Sequence, residues 1–309
     1  MTEWGANVSS NPITWSHTRA DSSGDAAGTA FAALRRSAFE AGVTAPRLAS
    51  AAVAIVPRVR HLIAIPRTVL TAVVGFFATL VAAPTAWMLA HRDPKSRHVD
   101  AVIRRWANAW LWAAGCRLEV EGIDKVDRSR SHIVVANHLS LLDIMACFAA
   151  VPLPIRYLAK KELFQIPILA PAMRAVGIVE VDRGGRAAAI QSVNRQSAPV
   201  IERGHSLIIY PEGTRSRDGA LHDFKKGAFT MAIGAGMPLL PVTIHGSWEA
   251  WQPHTPWVFG GQTIRVVIDE AIETAGLDRH AVGALRDQAH ETIAANLKRL
   301  GGSVATTPS

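Results

Sequence analysis

One apolar run limits how this chain can fold. Residues 68–90, TVLTAVVGFFATLVAAPTAWMLA, carry no charged side chain. A helix of that length can cross a hydrocarbon layer about 30 Å thick. Basic residues flank both ends and Pro84 lies inside the run, whereas a spanning helix normally shows a charge bias to one side. The run predicts either a spanning helix or a kinked or re-entrant helical hairpin in one leaflet, with a buried core helix as the remaining alternative.

This run divides the chain into four predicted parts. Residues 1–45 are rich in Ser, Ala, Gly, Asn and Thr, which is typical of a disordered polar tail. Residues 46–97 form a membrane-associated helical segment, residues 98–300 a folded domain, and residues 301–309 a second disordered tail. At the start of the domain, residues 98–115 predict a helix with one apolar stripe. Its Trp and Arg residues suit either a membrane boundary or a core contact.

Beyond residue 115, short β-rich segments alternate with helical ones. Strands are predicted at 117–122, 132–137, 155–160, 177–181, 206–210, 239–244 and 263–268. Helices are predicted at 141–151, 162–176, 186–203, 225–236 and about 278–299. This alternation indicates an α/β fold, with a central mostly parallel or mixed sheet flanked by helices. In such sheets, binding sites gather where strands end and helices begin.

Charge and cysteine content narrow the function classes. The 33 Lys and Arg residues exceed the 25 acidic residues and give a net charge of +8. This excess fits an anionic membrane surface or a phosphorylated substrate, although it also serves solubility. No basic-aromatic module indicates nucleic-acid binding.

The only two cysteines, Cys116 and Cys147, have apolar neighbours and no metal-ligand spacing, so they are predicted to be buried thiols.

The first candidate site is Asn-His-x-x-x-x-Asp, where His138 follows an apolar strand and Asp143 lies in the first turn of the next helix. Across that turn the carboxylate can reach the imidazole and fix its tautomer, which leaves the other ring nitrogen free to accept a proton. The pair therefore predicts a general base that activates a hydroxyl group. A structural histidine is the alternative, and no third ligand nearby supports a metal site.

The second candidate site is the loop Pro-Glu-Gly-Thr-Arg-Ser after the apolar strand SLIIY. Gly213 permits close backbone approach, and Arg215 can bind a phosphate through two parallel hydrogen bonds. Lys225 and Lys226 follow at the start of the next helix and add positive potential. The loop predicts an anion site, with a solvated turn as the alternative.

Lys160 and Arg183 form a third candidate group, because each ends a predicted strand. Such strand ends can converge on the loop Pro-Glu-Gly-Thr-Arg-Ser, called the anion loop below. The alternative for each residue is a solvated position at the rim of the site.

These blocks together resemble the glycerophospholipid acyltransferases, and within them most closely the 1-acyl-glycerol-3-phosphate acyltransferases. The resemblance covers about residues 115–250 and rests on Asn-His-x-x-x-x-Asp, Lys-x-Glu-Leu-Phe with Gly-x-x-x-x-Asp-Arg, Pro-Glu-Gly-Thr-Arg-Ser and a Pro-Val strand, in that order. One departure is Ala170-Pro171, where members of the family often have a Gly.

The resemblance implies an acyltransferase that acylates the sn-2 hydroxyl of 1-acyl-glycerol-3-phosphate. His138 would be the general base and Asp143 its orienting carboxylate. The acceptor site would consist of Glu212, Gly213, Thr214 and Arg215, with Arg183 and Lys160 as further phosphate contacts. The donor would be acyl-CoA or acyl-carrier protein as a co-substrate, with no cofactor and no metal.

The expected location is the cell membrane, with the catalytic domain on the cytoplasmic face. Two alternatives remain open. The acceptor can be another lysolipid, such as lyso-ornithine lipid, which the same His–Asp pair would serve. The chain can also be a non-catalytic membrane protein that binds anionic lipid through its basic charge.

Overall fold

The computed structural model describes residues 45–181 and 195–305. Its labelled helices are α1 (Ala45–Arg92), α2 (Arg97–Ala113), α3 (Leu142–Ala150), α4 (Leu169–Val176), α5 (Gly227–Ala235), α6 (Ser247–Ala250) and α7 (Val282–Leu300). Residues 195–202 are also helical. Short 3-10 helices occur at Ile123–Lys125, Lys161–Gln165 and Arg279–Ala281. A division of the chain between Val59 and Arg60 falls within α1, and all the strands belong to the unit that starts at Arg60.

The strands confirm the predicted α/β fold. They are β1 (Arg117–Glu121), β2 (Ile133–Ala136), β3 (Ile155–Lys160), β4 (Val179–Val181), β5 (Ser206–Ile209), β6 (Ala220–Leu221), β7 (Leu239–His245), β8 (Thr263–Ile268) and β9 (Ser303–Val304). Seven of them form one sheet in the order β1-β8-β7-β2-β5-β3-β4, while β6 and β9 pair separately. Every neighbouring pair is parallel except β7 and β8, which are antiparallel, so the sheet is mixed.

Alternate residues of each central strand pack on opposite sides of this sheet. In β2, Val134 and Ala136 join the core on one face, while Ile133 and Val135 join the core on the other. The first face is covered by α2 and α3, and the second by α5 and α7. Both faces of the central sheet are therefore buried, which explains why central strands such as β2 and β7 are nearly continuous apolar runs rather than alternating ones.

Helix α1 has small residues on the side that packs against the domain. The ring of Trp110 lies where a side chain on Gly75 would be, and Trp106 Nε1 donates to Thr79 Oγ1 over 2.8 Å. Its large apolar residues face outward, as Phe76 and Phe77 show with 62% and 58% exposure. The alternative of a fully buried core helix is therefore wrong.

The apolar run continues as helix through Pro84, so no re-entrant turn interrupts it and the predicted hairpin within the run is wrong. A proline removes only one backbone hydrogen bond from a helix, and packing of Ala83, Ala86 and Ala90 supports the helix around it. By length and composition alone, Ala64–Arg92 could cross a membrane. Whether it spans the bilayer or lies in one leaflet stays a prediction, as do the boundaries at residues 45 and 97. In the predicted disordered tail 301–309, Ser303 and Val304 instead form β9 and pair with β6.

Helix α2 fixes the end of the helix that carries Asp143. The Arg104 guanidinium donates to the carbonyl oxygens of Ala149 over 2.6 Å and Val151 over 3.2 Å. These carbonyl groups lie at the C-terminal end of α3, where a helix lacks its own donors and carries partial negative charge. The predicted core contact of this helix is confirmed for Val99, Leu111 and Ala113, which are buried.

One predicted helix needs correction, and another is described only in part. Residues 162–176 do not form one helix, because the 3-10 helix Lys161–Gln165 and α4 are separated by Ile166, Pro167 and Ile168. The residue before a proline disfavours the helical conformation, which explains the break. Of the predicted helix 186–203, the structure describes only residues 195 onward, and 195–202 are helical.

Cys147 is buried, as predicted, whereas Cys116 is only partly buried.

Candidate active site

The two main motifs meet at one edge of the sheet. His138 follows β2, and the loop Tyr210–Ser216 follows β5, which pairs with β2 in parallel with Val135 opposite Ile209. The carboxyl ends of parallel neighbours lie side by side, so the two turns adjoin. The backbone confirms this contact, because Ser216 N–H donates to the carbonyl oxygen of His138 over 2.8 Å. The backbone next to Arg215 is therefore hydrogen-bonded to the backbone of His138.

His138 and Asp143 form a hydrogen-bonded pair. The distance from His138 Nδ1 to Asp143 Oδ2 is 2.8 Å, and the side chains are 14% and 0% exposed. The same carboxylate oxygen accepts the backbone N–H groups of Leu139 over 2.6 Å and Ser140 over 2.7 Å. A carboxylate oxygen only accepts, so the proton of the neutral ring lies on Nδ1 and the lone pair on Nε2. This state can take a proton from a hydroxyl group.

The turn that carries His138 is fixed by its neighbours. Asn137 Nδ2 donates to the carbonyl oxygen of Ile244 over 2.8 Å, and Ile244 N–H donates back to Asn137 Oδ1 over 2.8 Å. The Ser140 hydroxyl accepts Leu142 N–H at 3.3 Å and donates to the carbonyl oxygen of Trp251 at 2.6 Å. The turn is therefore bonded to β7 and to the segment after α6.

Glu212 lies behind the histidine rather than in an open pocket. Its Oε1 accepts the backbone N–H of His138 over 2.7 Å, and its Oε2 accepts the backbone N–H of His222 over 3.2 Å. Burial raises the pKa of this carboxyl group to about 7, although the two N–H groups oppose the shift. Glu212 therefore joins its own loop to the turn that carries His138 through the backbone.

Gly213 has the left-handed backbone conformation that favours glycine, with φ of +77°. A Cβ atom placed there would lie 2.5 Å from Lys225 Nζ, so the lysine side chain crosses directly over this residue. Lys225 N–H also donates to the carbonyl oxygen of Pro211 over 2.9 Å. An ammonium group is thus held over the turn that was predicted to bind an anion.

The remaining predicted residues are less enclosed. Thr214 is exposed and Arg215 partly buried, and neither makes a side-chain hydrogen bond within the described ranges. Lys160 is exposed at the end of β3, which β5 separates from β2. It lies at the same edge of the sheet as the strand end before His138, and its contact with the acceptor phosphate stays a prediction. Arg183 lies outside the described residues.

Sequence reasoning assigned no role to Tyr210, whose ring stacks on that of His138 with centroids 3.8 Å apart and planes 7° from parallel. Its hydroxyl lies 3.2 Å from that of Tyr157, which donates to the carbonyl oxygen of Ile144 over 3.1 Å. The available signal was position, because Tyr210 ends the predicted strand 206–210 and directly precedes the Pro-Glu-Gly-Thr-Arg-Ser loop.

The chain is similar to known acyltransferases. A family described as Acyltransferase matches residues 117–245. The chain is 30% identical over 193 residues to 1-acyl-sn-glycerol-3-phosphate acyltransferase beta of Homo sapiens, a match that covers 62% of this chain and 69% of that protein. It is 25% identical over 203 residues to a 1-acyl-sn-glycerol-3-phosphate acyltransferase of Pseudomonas aeruginosa, which covers 64% of this chain and 77% of that one.

A chloroplastic 1-acyl-sn-glycerol-3-phosphate acyltransferase of Brassica napus is 28% identical over 197 residues, 63% of this chain but only 55% of the plant protein. Among solved structures, the 1-acyl-sn-glycerophosphate acyltransferase of Thermotoga maritima has a TM-score of 0.69 at 24% identity. That match covers 80% of this chain and 100% of the other. At this identity the structural likeness supports the fold alone.

Proposed function

Because this chain belongs to the 1-acyl-sn-glycerol-3-phosphate acyltransferase family, we propose that it transfers a fatty acyl chain to the sn-2 hydroxyl of 1-acyl-glycerol-3-phosphate, giving phosphatidic acid. Membership of this family makes the chain an enzyme, which removes the alternative of a non-catalytic lipid-binding protein. The observation that carries the mechanism is the hydrogen bond from His138 to Asp143, which leaves Nε2 able to accept a proton.

The reaction proceeds in one acyl transfer without a covalent acyl-enzyme. His138 Nε2 takes the proton of the acceptor hydroxyl as its oxygen forms a bond to the thioester carbonyl carbon. The carbon–sulfur bond then breaks, and the thiolate leaving group receives the proton from the imidazolium. Asp143 holds the ring and stabilises its charged form. The donor is a thioester of CoA or acyl-carrier protein, and the reaction needs no resident cofactor or metal.

The acceptor phosphate binds at the anion loop. Arg215 is partly buried on this loop, and its planar guanidinium can form a bidentate phosphate contact. Gly213 and Thr214 shape the loop, and Lys160 and Arg183 add positive charge. Glu212 serves this site by fixing the loop to the backbone of His138.

The outward apolar face of α1 supports attachment to a membrane, where the lysolipid acceptor resides. Phe76 and Phe77 pack edge to face with centroids 5.4 Å apart and lie on that face. We place the enzyme at the cell membrane with its catalytic domain on the cytoplasmic side, facing an anionic surface. Conversion of both residues to Ser should shift the protein from the membrane pellet to the supernatant. Unchanged sedimentation would show that these two residues do not decide the attachment.

An acceptor comparison tests the substrate assignment. Purified protein is assayed with labelled acyl-CoA or acyl-carrier protein and either lysophosphatidic acid or lyso-ornithine lipid. We expect product from lysophosphatidic acid. Arg215→Ala should raise the KM for that acceptor by about 10-fold or more, since a hydrogen bond to a charged group contributes about 1.5–3 kcal/mol. Arg128→Ala, at an exposed site before β2, is the matched control. An unchanged KM in Arg215→Ala refutes the phosphate contact, and product from lyso-ornithine lipid alone refutes the acceptor.

A further inference from the structure

The imidazole of His138 has a neighbour on its face as well as on its edge. Asp143 contacts the edge at Nδ1 over 2.8 Å, while Tyr210 covers the face at 3.8 Å between centroids and 7° between planes. A hydrogen bond at one edge leaves the ring free to tilt about that bond. A parallel aromatic ring at van der Waals distance removes this freedom, because tilting would bring the two rings into collision.

Tyr210 is itself held in place. Its hydroxyl lies 3.2 Å from that of Tyr157, whose own hydroxyl donates to the carbonyl oxygen of Ile144. Phe148 packs edge to face on Tyr157 with centroids 4.8 Å apart. Ile144 and Phe148 belong to α3, which also carries Asp143. Both neighbours of the imidazole are therefore anchored to one helix, Asp143 by the chain itself and Tyr210 through Tyr157.

We infer that Tyr210 is a positioning residue for the reaction proposed above. Its ring fixes the plane of the His138 imidazole so that Nε2 faces the acceptor hydroxyl. Its π face also stabilises the imidazolium that forms when Nε2 takes the proton. This inference rests on the proposed function, since it assigns Tyr210 a role only through His138.

The stabilisation of the imidazolium follows from the charge distribution of the phenol ring. The face of an aromatic ring carries negative potential, and a cation against that face is stabilised. Burial raises the pKa of Tyr210 well above its usual value, so the phenol stays neutral. Apart from Asp143, the described titratable groups that lie next to the stacked pair include Glu212, Tyr157 and Cys147. Tyr157 and Cys147 also stay neutral, because burial raises the pKa of each.

The test compares two substitutions that separate the ring from its hydroxyl. Tyr210→Phe keeps the stacked ring and removes the contact with Tyr157. Tyr210→Leu removes the stack, and Tyr210→Met serves the same purpose if the leucine variant does not fold, as judged by thermal unfolding. For each protein, kcat and KM are measured with lysophosphatidic acid and acyl-CoA. The pKa of the His138 ring is followed by NMR with labelled histidine, and its resonance is assigned with His138→Gln.

We expect Tyr210→Leu to lower kcat by about 10²-fold with little change in KM, because a misplaced base costs about that much. Loss of the stack should also lower the ring pKa by about half a unit to one unit. Tyr210→Phe should keep both values near those of the wild type. The NMR titration is needed because Glu212, with a pKa of about 7, titrates in the range where a histidine limb would appear in a rate profile.

The inference is overturned if Tyr210→Leu retains the wild-type kcat and ring pKa. It is equally overturned if Tyr210→Phe loses as much activity as Tyr210→Leu, since the hydroxyl rather than the stack would then matter. Failure of the proposed function looks different. In that case the wild-type protein forms no phosphatidic acid, whereas the ring titration needs no turnover and still tests the stack.

Discussion

Asn137 and Ile244 exchange two hydrogen bonds of 2.8 Å each, although 107 residues separate them in the chain. The amide side chain supplies the donor and the acceptor that complete the end of β7 next to the turn that carries His138. Neither group of Ile244 can turn to solvent, because that residue is buried. The position of His138 therefore depends on an amide at residue 137.

Replacement of Asn137 should destabilise the protein. Asn137→Ala leaves a buried N–H and a buried carbonyl group without partners, which should lower the free energy of unfolding by about 2–4 kcal/mol. Denaturant titration measures this change. Asn108→Ala is the matched control, since Asn108 is exposed and bonds only within its own helix. Equal stability of the two variants would show that the bridge to Ile244 contributes little.

The buried carboxyl group of Glu212 should make stability depend on pH. Its folded pKa of about 7 lies above the usual 4.5, so between these values the folded protein holds a proton that the unfolded chain has released. This contribution is fully present below pH 4.5 and is lost as the pH rises through 7. The loss of this contribution between pH 5 and 8 should lower the free energy of unfolding by about 2 kcal/mol.

Glu212→Gln should lack this contribution, and denaturant titrations at pH 5 and 8 measure the difference from wild type. The buried His205, with a pKa lowered to about 3 by burial first and by Arg156 second, gives a slope of opposite sign below pH 6.5. Both proteins share that slope, so it cancels in the comparison. Glu249→Gln, at an exposed site, is the control. Parallel pH curves for wild type and Glu212→Gln would contradict the prediction.

A comparison of two glycines with similar backbone angles distinguishes an effect of backbone strain on stability from an effect on substrate binding. Gly213 and Gly204 have φ of +77° and +80°, but a Cβ atom at Gly204 meets nothing within 4 Å, while one at Gly213 meets Lys225. Alanine at either position should cost about 1–2 kcal/mol of stability through backbone strain. Only Gly213→Ala should also raise the KM for lysophosphatidic acid, because it displaces the ammonium group. Similar KM values in the two variants would show that the Lys225 ammonium group does not contribute to binding of the acceptor.

The sequence predicted the sheet better than the site. All seven strands of the main sheet were found, because buried strands such as β7 are short apolar runs bounded by turn residues. The antiparallel pairing of β7 with β8 was not predicted, since both faces of the sheet are buried and residue pattern alone does not report strand direction. The break between Lys161–Gln165 and α4 was missed, although Pro167 signalled it.

The contacts of the site depend on strand order, which the motifs do not encode. The pairing of His138 with Asp143 is local, so the five-residue spacing was enough to suggest it. The stack of Tyr210 on His138 joins residues that lie far apart in the chain and requires β5 to be the neighbour of β2. Glu212 was expected at the acceptor, yet its carboxylate binds the backbone of His138, a role that no residue pattern reveals.

The central claim is that the imidazole of residue 138 acts as the base. The chain offers a close comparison, because His222 also pairs with a carboxylate, Asp218, over 2.9 Å, but both side chains are largely exposed. The most direct measurement is turnover of lysophosphatidic acid with acyl-CoA by folded His138→Ala and His222→Ala. Loss of general-base catalysis should lower kcat about 10²–10⁴-fold in His138→Ala, while His222→Ala stays near wild type. Wild-type turnover by His138→Ala would contradict the account.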